Sequence, residues 1–149
     1  HSMDIMRMES GFLHWGHDIS PEENQYQAGL SFAISKSKSI DFIGKKALEK
    51  IKKDRAKSRF LMFTLENSKP GEPLLLHDEP IYLEEKIIGR TTSGNYSFNF
   101  KKNLMFGYVN NDFSNDELQK KKLFVEVEKQ KYPIKLNLKP SKQTNYKNI

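Results

Sequence analysis

The amino-acid sequence predicts an α+β chain in which short helices and one strand lead into a small antiparallel β-barrel. Two observations carry this expectation. Apolar residues recur at helical spacing between Ile43 and Ile51, but from Arg59 the period shortens to two. Beyond that point, short strand-like runs separated by turn signals at regular spacing continue to Leu138.

Taken in order, Asp4 to Ser10 reads as the end of a helix, with Ile5, Met6 and Met8 on its apolar side and Gly11 as its C-cap. Gly11 to Gln27 is loop-like, yet Phe12, Leu13, Trp15 and Ile19 predict a loop pinned to the rest of the molecule. Leu30 to Ile34 is a short strand candidate. Ser35 to Ser39 is a polar run that suits a boundary. Asp41 is placed as the N-cap of a helix whose face is Ile43, Ala47, Leu48 and Ile51, with lysines toward its C-terminal end.

From Arg59, Phe60 and Met62 alternate with Leu61, Phe63 and Leu65, a strand apolar on both faces. Pro80 to Leu83 and Lys86 to Thr92 form a hairpin about Glu84-Glu85, and Leu104 to Val109 is a further strand. A last hairpin joins Leu123–Glu128 to Tyr132–Leu138 around Lys129-Gln130-Lys131.

Composition narrows the class. The 149 residues suffice for one domain, or one domain and part of its neighbour. Hydrophobic content of 36% with 11% aromatic suits a globular core, and 30% charge falls short of a disordered balance. No apolar run approaches the length of a membrane span, and no n-region or h-region marks a secretory signal. His1-Ser2-Met3 reads as a vector-derived scar and is set aside from the fold. Cysteine is absent, which excludes disulfides, thiolate zinc sites and thiol nucleophiles. The +6 charge rests on 21 Lys against 4 Arg, a solvated-surface pattern rather than the arginine-rich pattern of a nucleic-acid reader.

Three places in the chain hold chemistry-bearing residues. His14-x-x-His17-Asp18 offers two imidazoles and a carboxylate. Gly16 and the following Pro21 argue against the helix such a metal site would use, so a structural role with Trp15 buried and the histidines bonded to backbone is preferred. Thr91 to Ser97 is either a backbone cradle for a phosphate or, on the preferred reading, a tight turn with Gly94 at positive φ. The carboxylates Glu22, Glu23, Glu84, Glu85, Asp116 and Glu117 sit largely in predicted turns, where solvation is the default. No nucleophile elbow is found.

Four stretches in order resemble a known family. Arg7-Met8-Glu9-Ser10-Gly11-Phe12 with Trp15-Gly16-His17-Asp18-Ile19 is the first, and Ala28-Gly29-Leu30-Ser31-Phe32-Ala33 the second. Asp41-Phe42-Ile43-Gly44-Lys45-Lys46-Ala47-Leu48 is the third. The fourth is Ile88-Gly89-Arg90-Thr91-Thr92-Ser93-Gly94, followed by Lys102 to Val109. Together they resemble the C-terminal part of the glycine cleavage T-protein (aminomethyltransferase) family. Trp15 in His-Trp-Gly-His-Asp is more similar to the dimethylglycine and sarcosine dehydrogenase branch than to stand-alone T-proteins.

The resemblance implies a tetrahydrofolate-dependent transfer of a methylene unit from a methylated amine or glycine. It places residues 4–40 in the tail of a folate-binding domain and 41–149 in the family's C-terminal barrel domain. It also implies that the family's catalytic aspartate and pterin-holding glutamate lie upstream, so that this stretch by itself is inactive. The family's pterin-contacting arginine aligns with Met3, so Arg7 does not inherit that role. Two residues are carried over as folate or substrate contacts. Tyr146, in Thr144-Asn145-Tyr146, matches the family's terminal tyrosine, and Trp15 offers an amphipathic ring for stacking, against burial at a domain seam as its alternative. No metal is expected. FAD enters only with an upstream dehydrogenase domain, and a lipoylated carrier protein only with the stand-alone T-protein reading. The expected location is the cytoplasm, or the mitochondrial matrix in a eukaryote. The rivals are a non-catalytic interaction barrel and a lysine-driven nucleic-acid binder.

Overall fold

The structure, a computed structural model, describes residues 2–35, 41–53 and 56–140. The element order is α1 (Ser2–Ser10), a 3-10 turn (Ser31–Ala33), α2 (Lys45–Lys53), β1 (Ser58–Leu65), β2 (Pro80–Leu83), β3 (Lys86–Ser97), β4 (Lys102–Asn110), α3 (Asn115–Lys120), β5 (Leu123–Val127) and β6 (Gln130–Asn137). The strands close into an antiparallel barrel in the order β1-β4-β3-β2-β5-β6. Closure gives every strand a neighbour on both sides, over part of its length.

The two-faced apolar pattern of β1 has a direct cause. Phe63 and Leu65 point into the barrel with Met105, Val109, Ile81, Val125 and Leu136, and Leu61 packs on the same core. The alternate residues Phe60 and Met62 face outward, where Met8 and Ile5 of α1 cover them together with Leu104 and Phe106 of β4. Each large side chain buried this way contributes about 1.5–3 kcal/mol. Thus α1 is fastened to the outside of the barrel rather than hanging from it. Its first turn includes Ser2 and Met3, which the sequence reading sets aside.

Several expectations need correction. Leu30–Ile34 is no strand: Ala33 N–H donates to the Leu30 carbonyl and Ile34 N–H to that of Ser31, forming a 3-10 turn. It pairs with none of the six barrel strands. Asp41 does not cap α2, which begins four residues later; its carboxylate accepts from the neighbouring Phe42 N–H, and Gly44, at φ +91°, intervenes. Ile43, expected on the buried face, stands fully exposed.

Thr91–Ser97 is neither turn nor phosphate cradle but the continuation of β3, and Gly94 has an ordinary strand φ. Glycine is needed at that position because an added Cβ would lie 2.5 Å from the Leu75 Cβ. Between β5 and β6 only Glu128 and Lys129 turn, both at positive φ, which tightens the expected three-residue loop to two. The helix α3 went unforeseen. The polar run at Ser35–Ser39 overlaps residues 36–40, outside the described residues.

Candidate functional site

The first loop is seated on the barrel by a buried carboxylate. Helix α1 ends in a Schellman motif: Gly11, at φ +78°, donates to the Met8 carbonyl and Phe12 N–H to that of Arg7. The turn sends the chain back along α1, so that Asp18 meets Arg7, with Arg7 Nη1 2.6 Å from Asp18 Oδ2. His14 N–H donates to the same oxygen at 2.9 Å. The other oxygen, Oδ1, accepts from the hydroxyls of Thr92 at 2.5 Å and Ser93 at 2.7 Å. Arg7 Nη2 also donates to Ser93 Oγ at 2.9 Å. The Asp18 side chain is wholly buried, and four donors make that burial tolerable.

Two consecutive strand residues cannot ordinarily reach one atom, because their side chains point to opposite faces. Here a bulge intervenes. Thr91 pairs with Gly107 and Ser93 with Phe106, leaving Thr92 as the extra residue, and the re-aimed strand presents both hydroxyls to Asp18.

A second buried carboxylate, Glu9, accepts from Ser97 Oγ at 2.6 Å and from the Asn99 amide at 2.9 Å. Tyr108 completes the seam by donating its hydroxyl to the Asp18 carbonyl at 2.8 Å. Burial, reinforced by the negative charges of Glu23 and Asp18, pushes the Tyr108 phenol well above its ordinary range, so it stays a neutral donor.

Held in this way, the loop and the barrel bound an open groove of about 770 Å³. Trp15, Phe12 and Phe32 form one side, and Phe60, Met62 and Leu138 the other. Trp15 is therefore not buried as the structural reading of the loop expects: it is 65% exposed, and its backbone bridges to Ile19. Nor do the imidazoles serve as backbone ligands in the expected way. The rings of His14 and His17 stack at 4.7 Å, and it is the His14 amide that meets Asp18. With Asp18 occupied by Arg7, Thr92 and Ser93, the metal alternative loses its carboxylate. Among the described residues no group of three or more His, Cys, Asp or Glu side chains has metal-holding geometry. Tyr146 lies outside the described residues.

The clamp residues were visible in the sequence only as marks of a family. Thr92 and Ser93 lie 74 and 75 residues from Asp18, and Ser97 lies 88 from Glu9, so nothing local announces the pairings.

Comparison with known proteins agrees with the geometry. Residues 59–141 match the family described as the glycine cleavage T-protein C-terminal barrel domain. The chain is 42% identical over 96 residues to 4-methylaminobutanoate oxidase (formaldehyde-forming) of Paenarthrobacter nicotinovorans, covering 64% of this chain and 11% of that protein. It is 36% identical over 109 residues to the mitochondrial dimethylglycine dehydrogenase of Homo sapiens, covering 73% and 12%. An aminomethyltransferase of Symbiobacterium thermophilum is 34% identical over 106 residues, covering 71% and 27%. The chain thus spans only 11% to 27% of the length of these relatives. The fold matches the crystal structure of glycine cleavage system aminomethyltransferase T from Bartonella henselae with a TM-score of 0.78 at 22% identity, over 93% of this chain and 37% of that one.

Proposed function

Because this chain belongs to the glycine cleavage T-protein family through its C-terminal barrel, we propose that it is part of a tetrahydrofolate-dependent one-carbon transferase acting on a methylated amine. The methylated-amine part of this reading is supported by the similarity to 4-methylaminobutanoate oxidase (formaldehyde-forming) at 42% and to dimethylglycine dehydrogenase at 36%, and the folate part by the family and the aminomethyltransferase at 34%. Trp15 in the His-Trp-Gly-His-Asp stretch leans the same way. A stand-alone aminomethyltransferase is the second reading, favoured by the 34% identity to such an enzyme. On the first reading FAD would belong to a dehydrogenase domain elsewhere in the protein; on the second, a lipoylated carrier would deliver the amine.

In this proposal the groove beside Trp15 forms part of the wall of the folate site. Its residues fit the group in part. The rings of Trp15, Phe12 and Phe32 offer faces for a flat heterocycle, and the amides of Asn115 and Asn137 border the groove. No acid or base lines it among the described residues, so none of the proton transfers is assigned to them. When bound, tetrahydrofolate supplies the amine nitrogen that takes up the one-carbon unit. The role of this chain is to shape the wall and exclude water, and Tyr146 is proposed as a further contact from the C-terminal end. The chain alone is expected to catalyse no transfer.

The test is folate affinity. In the complete protein, Trp15→Ala should weaken tetrahydrofolate binding about tenfold, the loss of one ring-stacking contact. Unchanged affinity would remove Trp15 and its groove from the folate site.

A further inference from the structure

The loop after β1, the end of α3 and strands β5 and β6 enclose a concavity of about 700 Å³ that shares no residue with the Trp15 groove. Its floor is apolar, built from Leu118, Leu123, Phe124, Pro133, Ile134 and Leu136. Its rim is basic, carrying Lys121, Lys122 and Lys135. A second concavity of about 530 Å³ adjoins it through Gln119, Lys135 and Leu136 and adds Lys102 and Lys139.

One carboxylate, Glu66, lines both hollows. It is already balanced: Lys135 Nζ lies 2.6 Å away and Lys102 Nζ 3.6 Å. Hydrogen bonding to Lys135, and the charge of both lysines, hold its carboxyl below the usual range. Glu117, on α3 nearby, shares the capping box with Ser114, and the charge of Lys121 helps hold its carboxyl below the usual range. Lys121, Lys122 and Lys139 are exposed and form no ion pair with a described residue. The surface therefore carries Lys102, Lys121, Lys122, Lys135 and Lys139 against Glu66 and Glu117, a net positive balance, around an apolar floor that reaches solvent chiefly at Phe124 and Pro133.

A partner must satisfy both parts. A nucleic-acid backbone would meet the charge but leave the floor uncovered, and none of Arg7, Arg59 and Arg90 lines either hollow to fork a phosphate. A protein segment with carboxylates flanking apolar side chains meets both at once. We propose that this surface docks an acidic segment of a partner protein, seating an apolar side chain against Phe124 and Pro133 while its carboxylates pair with Lys121 and Lys122.

The probe is a short synthetic peptide with Asp and Glu on either side of a central Leu-Phe pair, titrated into the isotope-labelled chain while backbone amide shifts are followed. Shifts should cluster at residues 118–124 and 133–136. Replacing Leu-Phe by Ser-Ser should weaken binding about tenfold, the loss of buried apolar area. The double variant Lys121→Glu with Lys122→Glu should weaken it by at least about tenfold, while Lys46→Glu with Lys50→Glu on α2 should not. Phe124→Ser, with every lysine retained, should weaken it too, which separates the floor from general attraction. The proposal is overturned if the peptide does not bind, if the shifts lie elsewhere, or if a short DNA duplex of equal charge binds as well or better. It is equally overturned if the Ser-Ser peptide, the Phe124 variant or the lysine reversals bind as tightly as the originals, or if the α2 reversals weaken binding as much as the groove lysines do.

Discussion

Arg7 and Asp18, eleven residues apart, form an ion pair at 2.6 Å in which the carboxylate is wholly buried and the arginine side chain partly so. The pair ties the last turn of α1 to the loop carrying Trp15, and both partners also bind Ser93 of the barrel. Asp18→Ala leaves Arg7 with Asp4, 3.2 Å from its Nε, but removes its buried partner and the acceptor of Thr92, Ser93 and the His14 amide. The expected loss is about 3–5 kcal/mol in urea unfolding. In a double-mutant cycle with Arg7→Met, a coupling of about 0.5–3 kcal/mol should appear. Additivity would show that the two residues act independently.

Glu9 makes a parallel prediction at the other end of the seam. It is buried and receives Ser97 and Asn99. Glu9→Leu should cost about 1–3 kcal/mol by stranding those donors, and Ser97→Ala less. Thermal unfolding of both variants decides it.

Gly94 faces Leu75 so closely that an added Cβ would lie 2.5 Å from the Leu75 Cβ. Gly94→Ala should therefore destabilise by about 1–3 kcal/mol, although its strand φ suits alanine. The turn expected from the sequence, with Gly94 at positive φ, would instead strain the backbone. Comparing Gly94→Ala in the parent and in a Leu75→Gly background separates the two causes: the alanine penalty should shrink where the Leu75 Cβ is gone if crowding is responsible.

The capping box of α3 joins Ser114 and Glu117, and the Ser114 backbone amide and hydroxyl hold the Glu117 carboxyl below its ordinary value. A depressed folded-state value means the contribution is present above the unfolded-state pKa. It is lost as pH falls through the folded one, on the acid side of about 4.3. Glu117→Gln should therefore lower the melting temperature near neutrality, where the contribution is present, and the difference from the parent protein should shrink as pH falls below that value. Ser114→Ala should cost about 0.5–2 kcal/mol at neutral pH.

The barrel was legible because its strands are short, alternate cleanly and are divided by turn residues; even the two-faced apolar pattern of β1 has its counterpart in α1 lying outside Phe60 and Met62. What was missed follows from local ambiguity. Leu30–Ile34 is apolar enough for a strand but has no partner, and α3 is so short that Ser114 and Glu117 were its main signals. The Asp18 clamp was illegible for a different reason. It needs a bulge at Thr92 and partners more than seventy residues away, neither of which leaves a periodic trace.

The most direct measurement uses the complete protein with a methylamine labelled in its methyl carbon, assayed with and without tetrahydrofolate. Dimethylglycine, sarcosine and 4-methylaminobutanoate are the substrates to compare. The account predicts that with tetrahydrofolate the label appears in methylenetetrahydrofolate, and that this chain alone gives none. Label released only as formaldehyde, whether or not tetrahydrofolate is present, would contradict it.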